Sequence, residues 1–545
     1  MDKNKKAYIL WGTTCIVFTL LFMSLGLWNY ETNDDRFLAF ITGGFFGECS
    51  PYTIYNNIIQ SSCLAGISNL LPILDWTSVL YITMITVSYI IIGYVCISKQ
   101  GVKTGAIISS VFSLATIGTL INRMNFSKTG AFALGTGFVL LLVCLDKDEW
   151  KSKKNIILSV LASIHILVGS FVRYETTLAV IPFAIICMIY LYFKYKKAGI
   201  GRIMLIFAVL ALMCASWGIH SFVYKSLDGW DEYLEMKDNN AIDFGIPEWE
   251  SFKTAYSQIG FSENDVKCMS NWIFADTTIY NGDTFKQIND MKLAAGIKNF
   301  DVGKGISGAL GSILKYPIFL LAICIFVFTI LKNEKISIII CSSALIMAFA
   351  ELVYLYGCGR CLERTAMIPF LYSVLLFMYF IKWDNKNEKV IMGVLIAVSI
   401  LIFAVKDIPQ TRKFNPILRD AANQIFKELS AETDKLFVWN PKTVGTLYLL
   451  GYGITDPFPM GCGANQSLTG GWVSSTPINI AINSRYGEPN VMKLLAENPN
   501  VYFISFEKDD CDLIEKYLKE HYNINSQCKY VKDLYGYSVY SFNNN

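Results

Sequence analysis

The 545-residue chain is 53% hydrophobic and 17% charged, and its mean hydropathy is +0.40. A soluble protein of this length does not need so much apolar surface, so the composition favours a protein that crosses a membrane many times. The net charge of +3 is spread over many loops, which argues against a nucleic-acid partner. The 3 His and 15 Cys residues show no zinc-type spacing, so we expect no structural metal framework.

Apolar segments of about 16 to 22 residues recur through the first three quarters of the chain, and a helix of that length can cross a bilayer with little tilt. The first follows the basic segment 1–6 and is longer than the apolar part of a signal peptide, so we expect it to be retained. The sequence predicts about eleven transmembrane helices, at 9–28, 77–97, 105–121, 129–145, 156–172, 177–193, 203–224, 316–331, 336–356, 365–381 and 390–405.

The positions of lysine and arginine predict which helix ends face the cytoplasm, because positive charge in short loops resists translocation. With the N-terminus inside, the inner segments hold 18 basic residues. Lysine outnumbers arginine by 38 to 9 and Asn and Ile are abundant, which is typical of an AT-rich bacterial genome. We therefore expect a multi-pass protein of the bacterial cytoplasmic membrane. The inner segments are 1–6, 98–103, 146–155, 194–202, 332–335 and 382–389.

All long polar segments then fall on the outer side. We expect residues 1–405 to form a transmembrane domain with outer loops 29–76 and 225–312, and residues 406–545 to form an extracytoplasmic α/β domain. In this tail, 436–440 and 501–506 are typical of buried strands, and 529–542 predicts a hairpin turning near Gly536. Amphipathic helices are predicted at 416–432, 490–497 and 509–522, the first capped by Asn415 with Pro416 at its first position.

Arginine is concentrated on the predicted outer side. The inner segments contain 17 lysines and a single arginine, Arg202, whereas five of the nine arginines fall in outer loops or turns beside helix ends. A guanidinium binds phosphate oxygens through two parallel bonds and keeps its charge, so the pattern predicts an outer face that binds phosphate. In the alternative interpretation these arginines reach lipid headgroups or pair with Glu175 and Glu363. The five are Arg36, Arg123, Arg173, Arg360 and Arg364.

The sequence Asn33-Asp34-Asp35-Arg36 begins the first outer loop and precedes an apolar segment, 37–46, that we expect along the membrane interface. A carboxylate there can act as general base by taking the proton of an acceptor hydroxyl. Two adjacent carboxylates can also bind a divalent cation. The structural alternative is a capping box formed by Thr32 and Asp35 at a helix start, and the sequence leaves these interpretations open.

Three other outer turns present cations toward the same region. Arg173 and Glu175 share a four-residue turn, Arg123 and Lys128 lie in the turn 122–128, and Arg360 and Arg364 share a helix face if a helix begins there. Charges so close to the bilayer are costly unless they are paired or functional. Ion pairs that lock the turns therefore compete with phosphate binding as the explanation.

Several other residues are second-rank candidates. Glu351, His165 and His220 are ionisable groups within predicted helices and are either functional or paired internally. Trp472, after Gly470 and Gly471, could stack on a sugar or pack on its own domain. The cysteine pairs are compatible with disulfides or with free thiols, and redox catalysis is disfavoured because no strand-to-helix context surrounds the CxxC; these pairs are Cys358 with Cys361 and Cys511 with Cys528.

This layout resembles the GT-C superfamily of membrane glycosyltransferases, in which many transmembrane helices are joined to a large first outer loop with an acidic motif near its start. Here Asp34-Asp35 would be that motif, although it departs from the Asp-Glu pair common in the superfamily. The resemblance implies a polyprenyl-phosphate-linked sugar as donor and the catalytic acid in the first outer loop. It implies that Asp34 or Asp35 activates a hydroxyl of an envelope glycan, lipid or protein acceptor.

The resemblance further implies that outer cations neutralise the departing phosphate and that the reaction inverts the anomeric centre. Supporting roles fall to Arg36, Glu175 and Glu363. No cofactor is certain, and a divalent cation at Asp34 and Asp35 stays open. The residues expected to bind the lipid phosphate are Arg123, Arg173, Arg360, Arg364 and Lys128.

Three other function classes compete with this one. A polysaccharide polymerase or ligase acting on lipid-linked glycans would use a later outer loop, such as 225–312. A lipid or glycan transporter would line a path through the membrane with charge, whereas here the helix interiors are nearly uncharged. A receptor or scaffold would leave Asp34-Asp35 beside clustered arginines unexplained.

Overall fold

The computed structural model describes residues 3–240, 242, 245–297, 299–312, 315, 317–332, 334–381, 388–402 and 416–544. Long helices and two short ones make up the first part of this described chain. A π-helical turn, Gly118–Asn122, extends α5, and a 3-10 turn, Lys196–Gly199, joins α8 to α9. The helices are α1 (Lys3–Ser24), α2 (Asn33–Gly43), α3 (Ile58–Leu70), α4 (Trp76–Gln100), α5 (Val102–Ile117), α6 (Phe126–Leu145), α7 (Lys153–Val172), α8 (Tyr174–Tyr195) and α9 (Ile200–Lys225).

Five short helices fill the predicted second outer loop, and four longer ones follow. The short helices are α10 (Trp230–Asp238), α11 (Trp249–Gln258), α12 (Glu263–Ser270), α13 (Gly282–Ala294) and α14 (Val302–Ser312). The longer ones are α15 (Pro317–Lys332), α16 (Lys335–Gly357), α17 (Glu363–Phe380) and α18 (Glu388–Ile402).

Each of the eleven apolar segments is helical over most of its described part, and the first helix ends at Ser24. Seven helical stretches are long and apolar enough to cross a membrane, and one of them, Tyr174–Lys225, contains both α8 and α9. The chain is therefore a multi-pass α-helical membrane protein. The number eleven stays a prediction, because α15 and α18 have only 16 and 15 residues and α17 begins with a charged pair, Glu363-Arg364. The inner segment 382–389 and the end of the last apolar segment lie largely outside the described residues.

Helix α6 is the centre of the helix bundle, since all 20 of its residues are buried. Glycines allow α7 to approach it closely. A Cβ atom at Gly137 would lie 2.6 Å from Cγ1 of Ile166, and one at Gly169 would lie 3.0 Å from the backbone nitrogen of Leu134. Lipid offers no hydrophobic force to drive membrane helices together, so their association depends on close packing, and small residues allow that packing.

The tail forms an α/β fold on one five-stranded sheet. Its strand order is β2-β1-β3-β5-β4, in which β1 pairs in parallel with β2 and β3, and β5 pairs antiparallel with β3 and β4. In β1 all four residues are buried, as expected for a parallel strand covered on both faces. The elements are α19 (Pro416–Ala431), β1 (Leu436–Trp439), α20 (Pro441–Leu450), β2 (Gln466–Leu468), α21 (Pro477–Ser484), α22 (Val491–Glu497), β3 (Val501–Ser505), α23 (Asp509–Tyr522), β4 (Ser526–Leu534) and β5 (Tyr537–Asn544).

The tail elements predicted from sequence are confirmed, including the hairpin of β4 and β5 around Gly536. Three elements were not predicted, namely β2, α20 and α21. β2 has only three residues, too few to show a periodic pattern. The expected cap Asn415 and the domain boundary at 405–406 lie outside the described residues, so both stay predictions.

The first outer loop, the second outer loop and the tail share one hydrophobic core. Helix α2 lies within it: the ring of Phe40 is 5.2 Å from that of Tyr448, and the ring of Phe45 is 5.5 Å from that of Phe426. The placement of 37–46 along the membrane interface is therefore wrong, because residues 35–43 are all buried and α2 packs against the tail. Its aromatic face is covered by protein instead of lipid.

Close packing at α6 and α7 predicts the effect of a larger side chain. Gly137→Leu should lower the free energy of unfolding by about 2 kcal/mol or more, because the new side chain must displace Ile166. Thermal unfolding in detergent, followed by circular dichroism, measures the loss. Gly218→Leu is the matched control: it also replaces a helical glycine, but a Cβ atom added there would meet no neighbour within 4 Å. Equal stability of the two variants would contradict the packing argument.

Candidate active site

The carboxylate of Asp35 joins the start of α2 to the start of α6. It accepts hydrogen bonds from the backbone N–H of Thr32 (3.0 Å), the Thr32 hydroxyl (2.8 Å), the Asn125 amide (3.0 Å) and the backbone N–H of Phe126 (2.8 Å). The predicted capping box at Thr32 and Asp35 is confirmed. Burial raises the pKa of Asp35 to about 6, although the hydrogen bonds from Phe126 and Thr32 oppose this shift.

Arg36 is buried in an ion pair that also has a structural function. Its guanidinium lies 3.3 Å from the carboxylate of Asp75 and donates a hydrogen bond of 2.8 Å to the carbonyl oxygen of Tyr452. Asp75 in turn caps α4, accepting from the backbone N–H of Ser78 at 2.9 Å. Arg36 therefore connects α2 to α4 and to the tail, in keeping with the supporting role predicted for it.

Asp34 faces away from this network and lines a large cavity. Its Oδ1 accepts a hydrogen bond of 3.1 Å from the indole N–H of Trp472, and its Oδ2 lies 3.6 Å from the guanidinium of Arg364. The Asp34 side chain is 28% exposed, whereas residue Asp35 is 0% exposed. The cavity has a volume of about 1310 Å³ and lies between the helix bundle and the tail.

Three of the five predicted phosphate-binding cations line this cavity, namely Arg173, Arg360 and Arg364. Arg173 is also paired with Glu175 through two contacts of 2.9 Å, so the ion-pair interpretation of this turn is correct as well. The other two cations belong to separate pairs. Arg123 lies 3.3 Å from Glu363, and the buried Lys128 lies 3.2 Å from Glu31.

Aromatic rings join the Asp34 side of the cavity to the Arg173 side. The ring of Trp472 is 5.2 Å from the ring of Tyr55, which is 5.7 Å from the ring of Phe126. The guanidinium of Arg173 lies over Phe126 at 4.6 Å, and the ammonium of Lys237 lies over Tyr55 at 5.5 Å. Such cation–π contacts hold charged groups beside apolar surface.

The tail and the second outer loop supply the remaining walls. The tail residues follow the carboxyl ends of the parallel strands β1 and β2, the edge of a sheet at which open α/β folds bind ligands. Sequence reasoning identified Trp472 with Gly470 and Gly471 but missed the other walls, because α20 was not predicted and because Lys237 and its neighbours fall in a segment without a motif. The tail contributes Pro441, Lys442, Gly470, Gly471 and Trp472, and the loop contributes Tyr233, Lys237, Trp272, Phe274, Lys286 and Lys292.

The second-rank candidates separate into paired and unpaired groups. His165 lies 3.0 Å from the Ser88 hydroxyl, and Nδ1 of His220 accepts from the backbone N–H of Ile58 at 3.1 Å, so both are held internally. Both carboxylate oxygens of Glu351 are buried without a hydrogen-bond partner among the described residues. The thiols of the two cysteine pairs are free in this structure, and Cys358 lies in the cavity wall.

The carboxylates of Asp34 and Asp35 do not converge on a common cation position, because N–H and O–H donors surround the Asp35 carboxylate, whereas Asp34 faces the cavity beside Trp472 and Arg364. Among the described residues, one group of three side chains has ligand atoms within 4.8 Å of one another: Asp265, Glu520 and His521. Within this group His521 and Asp265 are hydrogen-bonded to each other at 2.8 Å. The group lies where α12 meets α23 and does not line the cavity.

Comparison with known proteins gives one structural similarity. No family model and no curated protein matches the chain. Among solved structures, the chain is similar to ArnT from Cupriavidus metallidurans, crystallised with undecaprenyl phosphate. The two chains are 11% identical, the alignment covers 97% of this chain and 98% of that one, and the TM-score is 0.40.

The buried ion pair predicts a large effect for a substitution at Arg36. Arg36→Met should destabilise the protein by roughly 3–5 kcal/mol, because the Asp75 charge stays buried after its partner is removed. Lys267→Met is the control, since Lys267 pairs with Glu263 on the surface, where both side chains are at least half exposed. Thermal unfolding in detergent should show a large decrease for the first variant and little change for the second. Similar midpoints for both would show that the buried pair does not hold α2 in place.

Proposed function

We propose that this protein transfers a sugar from a polyprenyl-phosphate-linked donor to a hydroxyl group of a cell-envelope glycan, lipid or protein at the outer membrane surface. The proposal rests on one arrangement: the Asp34 carboxylate and the guanidinium groups of Arg173, Arg360 and Arg364 line the same cavity. A negatively charged base and several phosphate-binding groups are the two components that this reaction needs. The GT-C resemblance of the sequence points to the same chemistry.

Asp34 is the better candidate for the general base. Its carboxylate reaches the cavity, and among the described residues each of its oxygens has one polar neighbour there, so lone pairs remain for an acceptor hydroxyl. The Asp35 carboxylate is buried and accepts from four donors, which suits a capping residue. The sequence leaves open whether Asp34 or Asp35 is the base, and these contacts favour Asp34.

The proposed reaction is a single displacement. Asp34 takes the proton of the acceptor hydroxyl as the oxygen attacks the anomeric carbon of the donor sugar. The bond between this carbon and the phosphate oxygen breaks, and its electron pair leaves with the polyprenyl phosphate, which gains one negative charge. Arg364, Arg360 and Arg173 are positioned to stabilise that charge, and the attack from the opposite face inverts the anomeric configuration.

The size of the cavity is compatible with two substrates. Pockets for a single drug-sized ligand usually measure about 300–1000 Å³, and this cavity has about 1310 Å³. A donor headgroup beside Asp34 would leave room for part of an acceptor against the walls formed by the second outer loop.

A second candidate function is polymerisation or ligation of lipid-linked glycans. The observation that favours it is the contribution of the loop 225–312 to the cavity, where Lys237, Lys286 and Lys292 lie among the acidic side chains of Asp238, Asp290 and Asp301. A second lipid-phosphate group on the acceptor would need such additional cations. The two functions share the base and the leaving group and differ in the acceptor.

Substitution of the two aspartates separates catalysis from stability. Asp34→Asn should lower turnover about 10²- to 10⁴-fold without changing the thermal midpoint, because it removes the base from a cavity wall. Asp35→Asn should lower the thermal midpoint, because the N–H groups of the asparagine amide would face hydrogen-bond donors at the starts of α2 and α6. Turnover is measured as sugar transfer or donor hydrolysis with purified protein and undecaprenyl-phosphate sugars.

Full activity of Asp34→Asn would contradict the assignment of the base, and absence of turnover in the parent protein with all donors would favour a transporter. Retention of configuration at the anomeric carbon, measured by NMR of the product, would contradict the single displacement.

A conservative substitution tests phosphate binding by arginine. Arg364→Lys keeps the charge but loses the planar fork, so kcat/KM for the donor should fall about tenfold to a hundredfold. Arg123→Lys is the matched control, because Arg123 pairs with Glu363 and does not line the cavity. Steady-state kinetics at varied donor concentration measures both. An equal loss in the two variants would indicate a general electrostatic effect instead of a contact with the donor.

A further inference from the structure

The tail reaches the Asp34 carboxylate through a single side chain. The indole N–H of Trp472 donates to Oδ1 of Asp34 at 3.1 Å, although 438 positions separate the two residues along the chain. The sequence alone is compatible with Trp472 stacking on a sugar or packing on its own domain. A direct hydrogen bond to the proposed base is neither of these.

The loop that carries Trp472 is fixed in position by backbone contacts. Thr469, directly after β2, donates from its backbone N–H to the carbonyl oxygen of Trp439 at 3.0 Å. Its own carbonyl oxygen accepts from the backbone N–H groups of Phe274 and Ala275 at 2.8 and 2.9 Å. A Cβ atom at Gly470 would lie only 1.8 Å from the carbonyl oxygen of Trp272, so only glycine fits this contact. The loop is therefore held by both the sheet and the second outer loop.

Aromatic neighbours hold the indole ring itself. The ring of Tyr55 is 5.2 Å away at an interplanar angle of 77°, and the ring of Phe37 is 6.1 Å away at 75°. Both are edge-to-face contacts, the favourable geometry for aromatic pairs. Because its loop and the neighbouring rings are fixed, the indole of Trp472 keeps its N–H group directed at Asp34. Holding it there costs little further side-chain entropy.

We infer that Trp472 is a positioning residue for Asp34, and that the tail thereby completes the site that begins in the first outer loop. The inference rests on the proposed function of Asp34 as base. A hydrogen bond from a fixed donor holds the carboxylate in one orientation. With Oδ1 held by the indole, Oδ2 is left beside Arg364 and available to the acceptor hydroxyl.

The test compares a tryptophan of the cavity with one outside it. Trp472→Phe keeps an aromatic ring between Tyr55 and Phe37 but loses the N–H group, so the Asp34 carboxylate is no longer held in one orientation. The value of kcat should fall about tenfold, whereas the KM for the donor stays close to that of the parent. Trp249→Phe is the control, because Trp249 stacks on Tyr256 and does not line the cavity.

A second measurement does not depend on turnover. Carbodiimide and an amine label accessible carboxyl groups, and tandem mass spectrometry identifies labelled Asp34. At one fixed pH the labelled fraction of Asp34 should be higher in Trp472→Phe than in the parent and in Trp249→Phe, because the indole no longer covers Oδ1. Unchanged kcat and unchanged labelling in Trp472→Phe would overturn the inference, as would equal changes in Trp249→Phe. If the parent shows no turnover but the labelling change appears, the proposed function fails while the positioning of Asp34 by Trp472 stands.

Discussion

Asp35 accepts hydrogen bonds from the Asn125 amide and the backbone N–H of Phe126, and this contact fixes the start of α2 against the start of α6. Successive residues of an α-helix point about 100° apart, so the neighbour of a buried Asp35 must face another direction. Asp34 faces the cavity for this reason. The two adjacent carboxylates thus have different environments, although the sequence shows them as an equivalent pair.

The helix α6 has a complementary contact at its other end. The guanidinium of Arg202 donates to the carbonyl oxygen of Leu145, the last residue of α6, at 2.8 Å. A carboxylate at the beginning of a helix and a cation at its end both complement the helix dipole. Next to this end, Asp146 is covered by Lys194 and by the hydroxyl group of Tyr190. The charges at this end form pairs beside a smaller cavity of about 630 Å³, whereas Asp34 and the three arginines line the larger cavity at the opposite end.

Patterns that extend over many residues could be predicted from the sequence. The eleven apolar segments are helical over most of their described parts, and the strands predicted at 436–440 and 501–506 are found at Leu436–Trp439 and Val501–Ser505 because each is a largely apolar run. The charged turns were also identified, since arginine next to a helix end is visible without knowledge of the fold. Periodicity and charge placement are local properties, so predictions based on them need no tertiary information.

The division of roles among the candidate residues depends on contacts between distant segments. Arg123 and Lys128 are cations beside helix ends, as Arg364 is, but Lys128 meets Glu31 and Arg123 meets Glu363, whereas Arg364 meets Asp34 at the cavity. Trp472 reaches Asp34 only because the short strand β2 pairs with β1 and turns the following loop toward α2. The proposed base, its positioning residue and the additional lysines come from three segments that have one core in common. A site assembled in this way requires that the tail be folded and docked, so its chemistry depends on the shared core as much as on the residues that line the cavity.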